Sequence, residues 1–178
     1  MAKGKRFKKI KKKYRFIISI LVLIIIAASV YLVIYFQDRN DVIKGSELLN
    51  TIEVDETKIT PEKTKRVLQI EELQKVNSDI IGWVEIEGTN INYPVLQGTD
   101  NDFYMNHNYE KEESIYGAIF LDHAYDWNVK SNNLLIYGHN MQDGSMFHDL
   151  LNYAEKDYYE EHPTIRFTTP EEDVNYEI

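Results

Sequence analysis

Five histidines, His107, His123, His139, His148 and His162, are the side chains of this sequence best suited to moving protons near neutral pH. One of them stands apart by position. His139 closes the run Asn133-Leu134-Leu135-Ile136-Tyr137-Gly138, which reads as a core strand buried on both faces, and it precedes Asn140 and a turn at Met141-Gln142-Asp143-Gly144. A side chain at the end of a core strand is held rigidly yet reaches the rim of a domain, as general acid–base work requires. The same placement suits a histidine that only makes structural hydrogen bonds, and the pattern leaves both readings open.

Other chemistries fit less well. His139 and His148 are nine residues apart, and with Asp122-His123 they match neither an i, i+4 ligand pair nor HExxH, so no zinc centre is expected. There is no GxSxG, and Ser145 after Asp143-Gly144 is more simply a helix cap. No glycine-rich phosphate loop is present, and no cofactor is expected. Cysteine is absent, so these residues hold neither a disulfide nor a thiol nucleophile.

The elements that would position His139 can be read from periodicity. A helix is expected over 61–77, with Thr60 as N-cap, Pro61 at its first position and Glu62 in its first turn. Strands are expected at Trp83–Glu87, Ile91–Leu96, Gly117–Asp122, Asn133–His139, Thr164–Thr168 and Val174–Ile178. Pro94 implies that its strand is an edge or carries a bulge. Asp100-Asn101-Asp102 reads as a turn, and Phe103-Tyr104-Met105 as a short helical turn. A helix from Ser145 to about Tyr159 would turn Phe147, Leu150, Leu151 and Ala154 inward. The short connections suggest antiparallel strands in a barrel or sandwich, with the last strand stopping in mid-alternation, as in an incomplete domain.

Charge divides the chain. Residues 1–15 hold nine Lys/Arg and no acid; the total is −9, so the remainder carries −18. Phe16–Phe36 is a charge-free run of 21 residues. As a helix it is roughly 31 Å long, the thickness of a bilayer core. A cleaved signal peptide is the competing reading, with Ala27-Ala28-Ser29 as its site, but the apolar run continues through Phe36. The expected organisation is a basic cytoplasmic head (1–15), a transmembrane anchor (16–36), a polar stalk (37–60) and an extracellular domain (61–178). The basic head beside a membrane span faces anionic lipid and not nucleic acid.

From residue 66 onward the sequence resembles the class B sortases. The resemblance rests on Gly82-Trp83-Val84, Gly88-Thr89-Asn90-Ile91-Asn92-Tyr93-Pro94-Val95-Leu96-Gln97-Gly98, Asp100-Asn101 with Tyr104 and His107, and Gly117–Asp122. Above all it rests on Asn133–Met141 with Asp143-Gly144-Ser145-Met146-Phe147. The resemblance implies an eight-stranded β-barrel and a cysteine transpeptidase found mainly in Gram-positive bacteria. Such an enzyme cleaves a C-terminal sorting motif of an exported protein and passes the acyl group to an amine of peptidoglycan or its lipid-linked precursor. By resemblance, His139 falls on the catalytic histidine, and Asn92, Leu96 and Tyr137 on positions lining the motif's groove; Leu96 and Tyr137 are equally readable as packing. The family's nucleophile lies in a Thr-Leu-x-Thr-Cys-like motif on the seventh strand and its essential arginine on the eighth. Neither strand occurs in these residues, so the barrel is expected to be incomplete and these 178 residues inactive on their own. The alternative is a non-catalytic, membrane-anchored module that binds peptides or a partner protein.

Overall fold

The computed structural model describes residues 2–61, 63–129 and 133–178, with side chains from residue 14 onward. It comprises two compact units, Met1–Gln37 and Asp38–Ile178. The side chains of residues 1–13 and Glu62 lie outside the described residues.

The first unit is helical, within α1 (Ala2–Thr51). Its charge-free stretch is long and apolar enough to cross a membrane, with a mean hydropathy of 3.1. Residues 14–34 are all exposed, so no protein core takes up this apolar surface. Ser19 and Ser29 donate their hydroxyls to the carbonyls of Arg15 and Ile25 one turn back, which satisfies both without leaving the helix.

The second unit begins with the rest of α1, where a stalk was expected. Val42, Gly45, Leu49 and Ile52 recur at helical spacing, and Leu49 joins the core. Asp38 is buried and accepts the main-chain N–H of Ile115 (3.0 Å). This stripe is diluted by Asp41, Lys44 and Glu47, which explains why the segment reads as polar in sequence.

Helix α2 (Lys65–Val76) is shorter than expected and starts at a different cap. Thr64, not Thr60, accepts the N–H of Val67. Thr60 instead closes a turn with Lys63. Val67, Leu68, Ile70 and Leu73 are buried, and Gln69 donates to the carbonyls of Leu49 and Ile52 (2.6 and 3.1 Å), tying α2 to the end of α1. Thr64→Ala is expected to cost about 0.5–1 kcal/mol, read as a small drop in the urea midpoint at unchanged slope.

Six strands form one sheet in the order β4-β3-β2-β1-β5-β6. They are β1 (Ile80–Glu85), β2 (Asn92–Leu96), β3 (Ile119–Leu121), β4 (Ile136–Tyr137), β5 (Thr164–Thr168) and β6 (Asp173–Glu177). The chain is thus mainly β with flanking helices, and its sheet is an unclosed part of a barrel with β4 and β6 at its edges.

The sheet is not wholly antiparallel. β2 and β3 run parallel, joined by the long crossover 97–118, as parallel pairing demands. Nor is β2 an edge strand. Pro94 is tolerated because pairing with β3 begins at Val95, one residue later, so no bond of that ladder is interrupted.

Side chains divide between the two faces. Ile80, Trp83, Leu96, Tyr104 and Phe120 pack with α1 and α2 on one, while Val84, Tyr93, Val95, Ile119, Leu121 and Phe167 form the other core. A bulge between Ile80 and Gly82 brings Ile80 and Trp83 to the same face despite their odd spacing. Gly82 is required there, because a Cβ would lie 2.5 Å from the Thr168 carbonyl.

Two further expectations are corrected. The run at 133–139 contributes only two residues to β4, with Leu135 and Tyr137 49% and 39% exposed, because β4 has a neighbour on one side. The helix expected from Ser145 is a 3-10 segment, His148–Ala154, followed by α3 (Lys156–Glu161). Positive φ at Gly144 and Met146 and the bridge between Asn140 and Met146 fold this stretch back on β4, leaving Leu150 and Leu151 exposed.

Candidate active site

At the end of β4 a cleft of about 450 Å³ opens. Its walls include Asn101, Asp102 and Met105 from the crossover, Phe120 from β3, Ile136, Tyr137 and His139 from β4 and its continuation, and Phe147. Close packing brings these elements together at Gly138. A Cβ there would come within 2.3 Å of Ile119 Cδ1 and 2.8 Å of the Phe147 ring. The N–H of Phe147 donates to the His139 carbonyl (2.9 Å), fixing the backbone beside the imidazole.

His139 is partly buried, and its Nε2 lies 2.8 Å from the Met105 carbonyl oxygen. Tyr137 stacks at a tilt on Phe120, with ring centres 5.3 Å apart, and donates its hydroxyl to Asp122 Oδ2 (3.0 Å). The same oxygen accepts from Asn101 Nδ2 (3.0 Å), and Oδ1 accepts the N–H of Ala124 (2.8 Å). Asn101 Oδ1 in turn accepts the N–H of His123 (2.9 Å).

This network has an electrostatic signature. The Ala124 N–H, then Asn101 and Tyr137, hold the Asp122 carboxyl below its ordinary range, and the carboxylate pushes the Tyr137 phenol up. A lowered folded-state pKa stabilises above the unfolded carboxyl value, about 3.9, and that contribution is lost as pH falls through the folded value. The loop at 122–124 is therefore expected to loosen below about pH 4. The check is hydrogen exchange at the Ala124 amide, corrected for its intrinsic pH dependence. Unchanged protection down to pH 2 would show that the carboxylate does not hold the loop.

The residues singled out in sequence separate. Tyr137 and His139 share the cleft; Asn92 and Leu96 do not line it. Asn92 accepts from the Trp83 indole (2.7 Å) and donates to the Ser46 carbonyl (3.0 Å), while Leu96 is fully buried beside Trp83 and Tyr104. The cleft is lined instead by Asn101 and Met105, which sequence reading left in a turn and a short helix. Asp100-Asn101 beside Tyr104 was the available signal, but only the crossover shows that this loop faces β4.

The other histidines are engaged locally. His107 stacks on Phe103, His148 meets Asn140 (2.8 Å), His162 meets the Glu87 carbonyl (2.8 Å), and His123 lies 3.9 Å from Asp122. Among the described residues no three His, Cys, Asp or Glu side chains are grouped to hold a metal ion.

Comparison with known proteins bears on the family of this fold. The Sortase domain profile matches residues 84–178. The chain is 46% identical over 110 residues to sortase B of Listeria monocytogenes, covering 62% of this chain and 44% of that protein. It is 33% identical over 158 residues to sortase B of Staphylococcus aureus, covering 88% and 64%. Among solved structures, Bacillus anthracis sortase B in complex with AAEK1 superposes with a TM-score of 0.69 at 29% identity, covering 82% of this chain and 67% of that one. The S. aureus sortase B–substrate complex gives a TM-score of 0.59 at 38% identity, covering 61% and 50%. The chain thus spans 44% and 64% of the length of these two curated relatives. Sequence, sheet and cleft lead to one assignment: the chain belongs to the sortase family, in its class B.

Proposed function

We propose that this chain supplies the membrane anchor and the histidine side of a class B sortase, a cysteine transpeptidase that cleaves the sorting motif of exported proteins and joins them to an amine. The observation that carries the reading is His139 in the cleft walled by Tyr137, Asn101 and Met105. In this chemistry a thiolate attacks the acyl carbon of the motif and an arginine steadies the developing oxyanion. His139 gives a proton to the leaving amine, and the thioacyl group then passes to the acceptor amine of peptidoglycan or its lipid-linked precursor. The 178 residues contain no cysteine, so on this reading they perform no acyl transfer by themselves. The sorting peptide crosses the cleft against Tyr137 and Met105. The basic head stays cytoplasmic and residues 37–178 lie outside, as the positive-inside rule requires.

A second reading is an anchored module that binds sorting peptides without cutting them. One experiment separates the two. The gene is read in frame through and past codon 178, and the encoded polypeptide is offered a fluorogenic sorting peptide with an amine acceptor. Transfer that depends on a cysteine encoded beyond Ile178 supports the enzyme. A polypeptide without cysteine that binds the peptide and leaves it intact establishes the module.

A further inference from the structure

A carbonyl oxygen carries no proton, so the 2.8 Å contact between His139 Nε2 and the Met105 carbonyl requires the hydrogen to sit on Nε2. Nδ1 then has no hydrogen-bond partner among the described residues. The acceptor that imposes this arrangement is itself held from behind. Tyr104, the preceding residue, is fully buried, and its hydroxyl donates to Asp79 Oδ2 (2.7 Å) and accepts from Asn77 Nδ2 (3.2 Å). Lys111 pairs with the same Asp79 oxygen (2.8 Å), so the carboxylate is fixed from two sides. The Tyr104 carbonyl accepts the N–H of Ala118 (2.9 Å), and the Met105 N–H donates to Asp102 (3.2 Å). Side chain and backbone together leave the Met105 carbonyl little freedom to move.

We infer that Tyr104 is a positioning residue for His139, acting through the Met105 carbonyl to keep one ring proton on Nε2 and reserve Nδ1 for proton transfer in the cleft. The catalytic meaning rests on the sortase reading; the tautomer does not. In the reaction, the imidazolium gives its Nδ1 proton to the leaving amine nitrogen and returns to the neutral ring with Nε2–H still bound to Met105. No other bond to the ring changes. Such a fixed second nitrogen spares the imidazole a reorientation at the moment of transfer.

The test uses the full chain in detergent micelles with ¹⁵N-labelled histidine, and the His139 signals are identified by their loss in His139→Gln. Long-range proton–nitrogen correlations are expected to show Nε2–H and an unprotonated Nδ1, with the Nε2 proton slow to exchange. Tyr104→Phe is expected to speed that exchange about tenfold, the equivalent of one net hydrogen bond, while β1–β2 amide protection stays unchanged. A proton found on Nδ1, or exchange equal in both proteins, overturns the inference. If Tyr104→Phe loses amide protection throughout, Asp79→Asn decides: faster Nε2–H exchange supports the role and unchanged exchange refutes it. In a cysteine-bearing sortase polypeptide the same Tyr104→Phe change should lower kcat more than it raises KM. Failure of the sortase reading appears in the transfer assay and leaves the tautomer measurement untouched.

Discussion

Replacing His139 by alanine is expected to lower kcat for peptide transfer by about 10²–10⁴, the usual range for losing a positioned general acid. The measurement belongs in the polypeptide that joins this sequence to a cysteine. The peptide's KM should change less than kcat, because the other walls of the cleft, among them Tyr137, Met105, Phe120 and Phe147, are left in place by the substitution. Folding should survive too. The His139 backbone is held by its carbonyl bond from Phe147, and the imidazole is only partly buried, so its removal opens no sealed cavity. A variant that keeps wild-type kcat would remove His139 from the chemistry and return it to a structural role.

The second large effect lies at Gly117. Its φ is +57°, a region that costs an L-residue about 1–2 kcal/mol. A Cβ there would also lie 2.6 Å from two backbone oxygens, those of Tyr104 and Met105, neither at the end of a flexible side chain. Gly117→Ala is therefore expected to destabilise by about 3 kcal/mol or more. With ordinary urea slopes this is a midpoint drop of roughly 1–3 M, followed by tryptophan fluorescence. Because one obstructing oxygen is the acceptor for His139 Nε2, the substitution should also release the Nε2 proton to faster exchange. Gly98→Ala is the control: its nearest contacts are an ordinary 3.4 Å and its φ is unremarkable for an L-residue, so a change under about 1 kcal/mol is expected. Equal midpoints for Gly117→Ala and wild type would mean that the crossover can move aside at small cost, contrary to the packing described.

Much of this architecture could be read from residue order. The hairpin β1–β2 follows from alternation around Gly88-Thr89-Asn90, and β5–β6 from the loop residues Pro170-Glu171-Glu172-Asp173, of which Asp173 opens β6; each is local, so its turn chemistry lies next to its strands. That His139 and Tyr137 lie together at the rim of the sheet was legible because a strand ends there. What escaped depends on distant partners. Leu49 becomes a core residue only once α2 and Trp83 are against it, and the acids and lysine around it hide the stripe. Asn101 and Met105 reach the cleft because β2 and β3 are parallel, and the loop between them must cross the sheet. That Asn92 and Leu96 pack beside Trp83, away from the cleft at β4, also depends on distant partners. Alternation shows that residues differ in facing but does not say which face meets a ligand.

The strand that leads to His139 pairs with β3 at just Phe120–Tyr137 and Leu121–Ile136, whereas β1 pairs with β2 along its length and with β5 from Trp83 to Glu85. Free energies of local opening follow such differences, so β4 can detach while the Trp83 core stays closed. The free energy that keeps His139 in the cleft is thus smaller than the one that keeps the Trp83 core closed. The chain can keep its tryptophan signal and its circular dichroism after His139 has left the cleft, so on warming the cleft is expected to open before the core unfolds.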